Sequence, residues 1–519
     1  MRISLWIAAA LLFGAASASA TPGSLTIRDG QFYDAAGRNL ILHGVNIGYA
    51  PGSWDPPDGK AQWRHGGPEA FARIQAWGYN VVRLVIYWSA VEPEPGVYDA
   101  DFLDSLDEKV AWAKNAGLYI ILDMHQDLWG QDVPGARGAP EWAIGDAATV
   151  PHVKGASMWS EAYFTSPRVH RAFDNFWRDA PAPDGVGIQT HFVQAWQHVA
   201  ARYAGEPAVA GYDLFNEPIA GTPLKNAFLA IMLDMAPELA AQGITLRTHS
   251  VEDLGRAVME IVRDNPATYR RIMDVAGPVV TKYDRERIGA MYQRARNAIR
   301  KVDTRHAVFT APTIAANLGI ESGLPHLTME NGAPDPLQVY APHVYDDSVV
   351  RVRTSTEMLI AHARELGVPL FLGEWGNLTN SDHIFQDDPV PPAQAVVDLL
   401  IEARASDAYW YYMDNLDEQP YFKTVLQYPY PRAVAGRLTA YAFDRDTAVF
   451  TCSWEEDPAA NAPTEFYVPA VWYANGHQIT VTPEGDPTDF STITPETKNG
   501  LLTIPPIGDG VTRTLRLTP

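Results

Sequence analysis

Short apolar runs alternate with longer amphipathic stretches over most of this chain. Eight of the runs have the length of buried strands, and the stretches between them, such as 102–116 and 191–203, carry apolar residues at helical spacing. The predicted strands span residues 40–47, 80–87, 118–124, 209–215, 306–311, 338–343, 369–374 and 408–413. Alternating strands and helices predict parallel pairing, and eight such units predict an α/β fold of the (β/α)8 TIM barrel type.

The pattern changes after Asp414, where helical spacing gives way to short β-rich runs separated by turn residues. These runs span residues 437–444, 447–454, 464–468, 478–481, 500–504 and 513–517. They predict a C-terminal antiparallel β-sandwich domain over residues 431–519, following a barrel domain over residues 21–430. A turn at Asp34 to Gly37 inside residues 24–39 predicts a hairpin that closes the bottom of the barrel.

The first twenty residues have the pattern of a cleavable signal peptide. Arg2 supplies the positive charge, residues 5–13 form an apolar run, and Ala18-Ser19-Ala20 forms a small-residue cleavage site, with cleavage expected after Ala20. A membrane anchor is the alternative, but the run is shorter than the ~20 residues that a spanning helix needs. We therefore expect a secreted or periplasmic protein.

The net charge restricts the classes of partner that this chain can bind, and the cysteine content restricts its disulfide and thiol chemistry. The formal net charge of −22 argues against nucleic acid and anionic membrane surfaces, which would be repelled, and we expect a neutral or weakly charged substrate. The single cysteine, Cys452, cannot form an intramolecular disulfide and is predicted to be a small buried hydrophobe rather than a nucleophile. The sequence indicates no obligate protein partner.

Two glutamates stand at the ends of predicted strands. Glu217 follows the fourth strand in Leu-Phe-Asn-Glu-Pro at 214–218, and Glu374 ends the seventh in Leu-Gly-Glu-Trp at 372–375. A retaining glycosidase needs such a pair, one carboxyl group protonated to assist the leaving oxygen and one ionised to attack the sugar. We assign Glu217 as the acid and base and Glu374 as the nucleophile. This mechanism needs no metal ion and no organic cofactor.

Other polar and aromatic residues lie within, end or follow the predicted strands, and we expect them to line the substrate site. They are Arg83, His125, Asp127, Asn216, His343, Tyr345 and Trp410. Arg83 and Tyr345 would keep the nucleophile ionised. Asn216 would bond the sugar 2-hydroxyl group, and Trp410, predicted within the eighth strand, would offer a flat face for a sugar ring.

Each of these residues also has a purely structural explanation. Asn-Glu-Pro could begin a helix, and Trp410 could belong to the core. His125 and His343 could be metal ligands, but no His-x-x-x-His or clustered Cys/His spacing supports a metal, so hydrogen-bonded histidines are favoured. Their joint placement along successive strands favours a functional site.

Several segments together resemble a known family. They are Asp-Met-His-Gln-Asp at 123–127, Arg-Ala-Phe-Asp-Asn-Phe-Trp at 171–177, Tyr-Asp-Leu-Phe-Asn-Glu-Pro at 212–218, Tyr-Pro-Tyr-Pro-Arg-Ala-Val-Ala-Gly at 428–436 and Pro-Thr-Glu-Phe-Tyr-Val-Pro at 463–469. The chain resembles family 5 of the glycoside hydrolases, and within it the endoglycoceramidase-like branch, over almost its whole mature length. By this resemblance, Glu217 and Glu374 match the catalytic pair, Arg83 matches the residue that steadies the nucleophile, and the remaining residues match the pocket.

The resemblance implies a retaining β-glycosidase that hydrolyses the bond between a glycan, or a single sugar, and a lipid aglycone, with transient contact with lipid surfaces or micelles. Alternatives on the same barrel are a β-glucosylceramidase or galactosylceramidase, a steryl-β-glucosidase, and a polysaccharide endo-β-glucanase or mannanase. A noncatalytic carbohydrate- or lipid-binding protein is disfavoured because both glutamates are present.

The chain departs from those relatives at two places. The loop at residues 48–55 lacks the lysine that endoglycoceramidases place at the sugar pocket, and Lys60 follows only later. The segment at residues 219–286 is much longer than its counterpart and includes a strongly apolar stretch at 224–236. This insertion could form an apolar lid or wall that receives the lipid, or an additional helical hairpin packed on the barrel.

Overall fold

The computed structural model describes residues 22–48, 67–155, 159–245, 251–263, 265–376, 388–419, 421–483, 496–498 and 500–519. The predicted signal peptide at 1–20, Lys60 and most of the loop at residues 48–55 lie outside the described residues.

Eight parallel strands form a closed barrel, which confirms the predicted fold. Neighbouring strands pair in the order of the sequence, the last strand pairs with the first, and the sixth strand is interrupted at residues 341–342. A parallel bridge between Tyr340 and Leu370 closes the ring between the sixth and seventh strands. The strands are His43–Ile47, Val81–Tyr87, Tyr119–His125, Val209–Asp213, Ala307–Thr310, Gln338–Tyr340 with His343–Val344, Phe371–Trp375 and Ser406–Tyr409.

Helices cover the outside of the barrel, as the helical spacing predicts. The α-helices are Pro68–Ala76, Trp88–Val91, Ala100–Asn115, Ala162–Thr165, Pro167–Trp177, Ile188–Tyr203, Thr222–Asp234, Ala236–Ala241, Val251–Val262, Pro266–Tyr283, Gly289–Ile299, Ile314–Asn317, Val349–Leu366 and Val390–Ala403. Short 3-10 helices span Glu141–Thr149, Trp159–Glu161 and Leu416–Glu418, and π-helical turns span Asp284–Ile288 and Phe422–Leu426.

The N-terminal strands lie under the bottom of the barrel. Thr26–Arg28 and Gln31–Tyr33 form a hairpin, and the side chains of Leu25 and Phe32 join a buried cluster with the inward-facing Val81, Ile121 and Phe309 of three barrel strands. This cluster excludes water from the end of the barrel opposite to the strand carboxyl ends.

The C-terminal domain consists of two antiparallel sheets, as predicted. One sheet contains Gly436–Asp444, Val449–Glu456, Thr512–Thr518 and Gln478–Pro483. The other contains Tyr430–Val434, Thr464–Tyr467, Leu501–Ile504 and Glu496–Lys498, and it continues into the N-terminal strands because Asn39–Leu40 pairs with residues 433–434. The N-terminal strands therefore share one sheet with four strands of the C-terminal domain.

The insertion is helical. Its first helix, Thr222–Asp234, buries Leu224, Ala227 and Met232, packs against the helix Pro266–Tyr283, and exposes Leu229 and Leu233. The buried side chains of this helix favour the interpretation of the insertion as additional helices packed on the protein, rather than as an apolar lid. Among the described residues, no helix is both long enough and apolar enough to span a membrane.

Candidate active site

A network of polar side chains at the carboxyl ends of the strands is centred on Arg83. Its guanidinium group is fully buried in the second barrel strand. Its partners are Asp213 Oδ2 at 2.8 Å, Glu374 Oε1 at 2.8 Å, Asp123 Oδ1 at 2.8 Å, Asn46 Oδ1 at 2.9 Å and Asn216 Oδ1 at 3.0 Å. One buried cation therefore faces three carboxyl groups, which fixes its position and compensates part of their charge.

Glu374 receives hydrogen bonds on both carboxylate oxygens. Arg83 Nη1 donates to Oε1, and the Tyr345 hydroxyl donates to Oε2 at 2.9 Å. Burial raises the pKa of Glu374, and the nearby His343, Arg83 and His125 oppose that rise in this order. Two donors, one of them charged, favour the ionised form of this carboxyl group over the protonated one.

Glu217 has a different environment. Its backbone φ is +41°, a left-handed conformation that non-glycine residues rarely adopt. Both His343 Nδ1 at 2.9 Å and Asn317 Nδ2 at 3.2 Å contact the same oxygen, Oε1. Burial raises the pKa of Glu217 to about 7, against the lowering effects of Arg83 and Asn317. This carboxyl group is therefore partly protonated at neutral pH.

The two glutamates are close neighbours. One carboxylate oxygen of Glu217, one of Glu374 and a ring nitrogen of His343 all lie within 4.8 Å of one another. Burial lowers the pKa of His343 to about 4, so its ring is neutral between the two carboxyl groups at neutral pH. The site thus holds two adjacent carboxyl groups with unequal donors.

His125 connects the network to an aromatic face. Its Nδ1 lies 2.8 Å from Asp123 Oδ2, and its ring stacks on Trp410 with centroids 5.2 Å apart and planes 9° apart. Asp127 Oδ2 lies 3.8 Å from His125 Nε2 and 3.4 Å from Arg137 Nε. A flat indole beside hydrogen-bonding groups is the arrangement that binds a sugar ring.

The structure brings together all nine residues that the sequence singles out for the site. Two positions differ slightly from the expectation: Trp410 follows the eighth strand instead of lying within it, and Glu374 is the penultimate residue of its strand. The helix-start interpretation of Asn-Glu-Pro is wrong, because the next helix begins only at Thr222. His125 and His343 each contact a carboxyl group, and each also lies in a buried group of three side chains whose ligand atoms are within 4.8 Å of one another, so a site without a metal stays a prediction.

Sequence reasoning missed five residues of this network. They are Asn46, Asp123, Gln126, Asp213 and Asn317. Asp123 and Asp213 are charged residues inside apolar strands, a pattern that signals a buried partner and could have found them. Gln126 Nε2 donates to the carbonyl oxygens of Asn216 and Glu217, and no local pattern marks that role.

Comparison with known families decides the classification. The model of the cellulase family, glycosyl hydrolase family 5, matches residues 33–416, and that of the glycoside hydrolase family 5 C-terminal domain matches residues 429–504. The chain belongs to glycoside hydrolase family 5. It is a glycoside hydrolase, and the family's barrel and C-terminal domain correspond to the two parts described above.

The proteins to which this chain is similar include several that are named as glycolipid hydrolases. Endoglycoceramidase I of Rhodococcus hoagii is 26% identical over 492 residues, covering 89% of this chain and 83% of that protein. A glucosylceramidase of Rhizopus delemar is 29% identical over 240 residues, which is 37% of this chain and only 35% of that protein. Endo-glycoceramidase II from Rhodococcus sp., solved as a lactosyl-enzyme intermediate, superposes with a TM-score of 0.68 at 28% identity, covering 94% of this chain and 99% of that chain. The same protein solved with ganglioside GM3 gives the same TM-score and identity over 94% and 98%.

Proposed function

We propose that this family 5 hydrolase is a retaining β-glycosidase that cleaves glycolipids between the sugar and the lipid aglycone. The observation that carries the proposal is the pair of adjacent, unequally surrounded carboxyl groups of Glu217 and Glu374, with oxygens within 4.8 Å. Retaining glycosidases hold their two carboxyl groups ~5–5.5 Å apart, whereas inverting enzymes need ~6.5–9.5 Å to admit a water molecule. The spacing supports retention.

The first step forms a bond between Glu374 and the anomeric carbon. Arg83 and Tyr345 orient the Glu374 carboxylate, which attacks as the bond from the anomeric carbon to the aglycone oxygen breaks. Protonated Glu217 transfers its proton to that oxygen, so the lipid leaves as a neutral alcohol. The products of this step are a covalent glycosyl-enzyme and an ionised Glu217.

The second step reverses the roles. Ionised Glu217 takes a proton from a water molecule, the water oxygen bonds the anomeric carbon, and Glu374 leaves as a carboxylate. Arg83 Nη2 donates to Asn216 Oδ1 at 3.0 Å and so fixes the Asn216 side chain beside it. From this position Asn216 can form a hydrogen bond with the sugar 2-hydroxyl group, a contact that strengthens in the transition state. Trp410 supplies the face on which the ring stacks.

The substrate class rests on the relatives. An endoglycoceramidase that aligns over 83% of its length and a solved ganglioside complex support an intact oligosaccharide as the glycan that is released after the second step. The shorter alignment with a glucosylceramidase supports a second candidate, hydrolysis of ceramides that carry one sugar. The net charge of −22 fits a substrate other than nucleic acid.

Hydrolysis of a substrate panel tests the proposal. The panel comprises glucosylceramide, galactosylceramide, a ganglioside, a steryl glucoside and a soluble β-glucan, each assayed with wild type, Glu374→Gln and Glu455→Gln. Glu455 lies in the C-terminal domain, half exposed and paired with Arg437, and makes the same change of chemistry outside the site. We expect intact oligosaccharide and ceramide from the ganglioside, lost in Glu374→Gln and retained in Glu455→Gln.

Other outcomes select the alternatives. Release of monosaccharide from simple glycolipids alone would support the second candidate, and activity on soluble glucan alone would overturn a lipid substrate. Azide added to Glu217→Ala with an activated aryl glycoside distinguishes the two glutamates: a β-glycosyl azide product is expected, because the azide anion needs no general base and bonds the anomeric carbon in place of water as Glu374 leaves. Recovery of activity by azide without that product would contradict the assignment.

We also propose export from the cytoplasm, supported by the charge, apolar run and cleavage pattern of residues 1–20. Transient contact with lipid surfaces or micelles would accompany a glycolipid substrate. N-terminal sequencing of the protein from the periplasmic and extracellular fractions tests export. A chain that begins near Thr21 in either fraction is expected, and an intact N-terminus confined to the cytoplasm would contradict it.

A further inference from the structure

Asn317 touches the carboxyl group of Glu217 from the loop after the fifth barrel strand. It ends the short helix Ile314–Asn317, is almost fully buried, and donates from Nδ2 to Glu217 Oε1 at 3.2 Å. Its other side-chain atom, Oδ1, accepts the backbone N–H of His343 at 3.0 Å. Because that amide can only donate, the oxygen of Asn317 must face His343 and its NH2 group must face Glu217.

The loop that carries Asn317 is fixed at both ends by the insertion. Asp284 begins the π-helical turn that ends the insertion helices, and its carboxyl group is fully buried. It accepts the backbone N–H of Thr313 at 3.1 Å before Asn317, and the N–H of Gly323 at 3.0 Å and the Ser322 hydroxyl at 3.0 Å after it. The N–H of Ile314 also donates to Pro218 O at 3.0 Å, which ties the loop to the residue after Glu217.

This geometry makes the two oxygens of Glu217 unequal. Oε1 accepts from Asn317 and lies 2.9 Å from His343 Nδ1, while Oε2 has no hydrogen bond to any described residue. An oxygen that already accepts an N–H bond is the poorer site for a proton, so the bond from Asn317 favours a carboxylic acid that carries its hydrogen on Oε2.

We infer that Asn317 is a positioning residue for Glu217, which directs the acid proton to Oε2 and holds the ionised carboxylate between the two chemical steps. The inference rests on the proposed function, in which Glu217 alternates between acid and base. An N–H donor favours the ionised form, and burial opposes it, so Asn317 limits the rise in the pKa of Glu217. The insertion, through Asp284, thereby acts on the catalytic step from outside the barrel.

Other charged and titratable groups also face Glu217 and remain unchanged in the test. They are Arg83 from the second strand, Asp123 and Asp127 from the third strand and its loop, Tyr163 from the helix Ala162–Thr165, His343 from the sixth strand, Tyr345 directly after it, and Glu374 from the seventh. A shift of the pH profile that both Asn317 variants share is therefore assigned to the loss of the Asn317 donor, since only Asn317→Asp adds a carboxyl group.

Two variants separate donation from packing. Asn317→Asp has the same shape and keeps an acceptor for the His343 N–H but loses the donor, whereas Asn317→Ala loses both. Thr310→Val is the matched control: Thr310 is buried in the strand before this loop and donates to Val339 O at 2.9 Å, away from Glu217. The assays measure kcat/KM against pH for aryl β-glycosides with a poor and with a good leaving group, together with Tm.

Both Asn317 variants are expected to move the alkaline limb of kcat/KM upward by about one pH unit, because the ionised form of Glu217 loses a hydrogen-bond donor. The rate for the poor leaving group is expected to fall about tenfold and that for the good one much less, since only the former needs the acid. Thr310→Val is expected to lower Tm alone.

An unchanged pH profile in both Asn317 variants, with a loss of Tm like that of Thr310→Val, would overturn the inference and leave Asn317 a structural residue. Failure of the proposed function has a different signature. If wild type hydrolyses neither substrate, or if Glu217→Gln hydrolyses the poor leaving group at the wild-type rate, Glu217 is not the acid and the inference falls with it.

Discussion

Arg83 sets the electrostatics of the candidate site at the scale of single residues. A fully buried guanidinium with Asp123, Asp213 and Glu374 around it cannot neutralise all three carboxylates at once. Burial raises the pKa of Asp123 to about 7, and it raises the pKa of Glu217 to about 7 as well, because the lowering effect of Arg83 is smaller than the effect of burial in each case. Glu374 is the group among them that receives both a charged and a hydroxyl donor.

The unequal carboxyl groups predict the pH dependence. Glu217 must be protonated to act as the acid, and its pKa of about 7 is raised by burial, so kcat/KM should fall as pH rises through about 7. Glu374 must be ionised, so activity should also fall at acidic pH. Initial rates on an aryl glycoside with a poor leaving group check this bell shape. A dinitrophenyl glycoside should show a much weaker alkaline fall, and equal falls for both substrates would contradict the prediction.

Tyr345→Phe tests the donor to Glu374. Removing the 2.9 Å hydrogen bond destabilises the ionised nucleophile, so kcat should fall about tenfold to a hundredfold and the acidic limb should move to higher pH. Tyr98→Phe deletes a hydroxyl group from a residue that stacks on His198 outside the site and serves as the control. A loss of stability in Tyr345→Phe with unchanged kinetics would show that the hydroxyl is structural.

At the scale of elements, the helix Thr222–Asp234 has one face turned inward and one outward. Met232 is 3% exposed and Leu233 is 59% exposed on adjacent positions. Met232→Ala should therefore lower the free energy of unfolding by about 2–5 kcal/mol, and Leu233→Ser should change it by less than about 0.5 kcal/mol. Urea denaturation of both variants checks this orientation, and similar losses in the two would contradict it.

Contact of this helix with lipid stays a prediction, and it now depends on the outward residues. The double variant Leu229→Ser/Leu233→Ser should raise KM for micellar glucosylceramide and leave KM for a soluble aryl glycoside unchanged, because only exposed side chains can meet the lipid. If the double variant has the same KM as wild type on both substrates, the insertion does not form an apolar wall that receives the lipid.

At the scale of the whole molecule, the barrel and the C-terminal domain meet at Gly78. Its φ is +91°, a Cβ there would lie 2.4 Å from the ring of Tyr467, and the Tyr430 hydroxyl donates to its carbonyl oxygen at 2.7 Å. Both tyrosines belong to the sheet that the N-terminal strands complete. The domains are therefore expected to unfold together.

A left-handed backbone costs an alanine about 1–2 kcal/mol. Gly78→Ala should lower the free energy of unfolding by more than this amount, because the added Cβ also clashes with the ring of Tyr467. Gly96→Ala is matched to it: φ is +74° and nothing lies within 4 Å of an added Cβ. Calorimetry should show one transition for each protein, with Gly78→Ala melting lower. Two separate transitions in wild type would contradict cooperative unfolding.

The hydrophobic pattern located all eight barrel strands to within a few residues, since alternation of buried strands and amphipathic helices is a local property. It also located Glu217 and Glu374, because polar residues at strand carboxyl ends share one rim in this fold. The pattern could not find Asn317, whose four-residue helix has no periodicity. It also could not find the pairing of the N-terminal strand Asn39–Leu40 with residues 433–434, because these strands are about 400 positions apart.

The sequence by itself determined the fold and the family motifs and predicted the two catalytic carboxyl groups, because each rests on patterns of residues that are neighbours in the chain. The sequence predicted that Arg83 and Tyr345 act on Glu374, but only the tertiary structure gave the hydrogen bonds of both carboxyl groups and the contact of Asn317 with Glu217. Arg83 and Tyr345 reach Glu374 across 291 and 29 positions, and Asn317 reaches Glu217 across 100. Burial and hydrogen-bond donors set the protonation of each group, and both arise only when distant segments pack together.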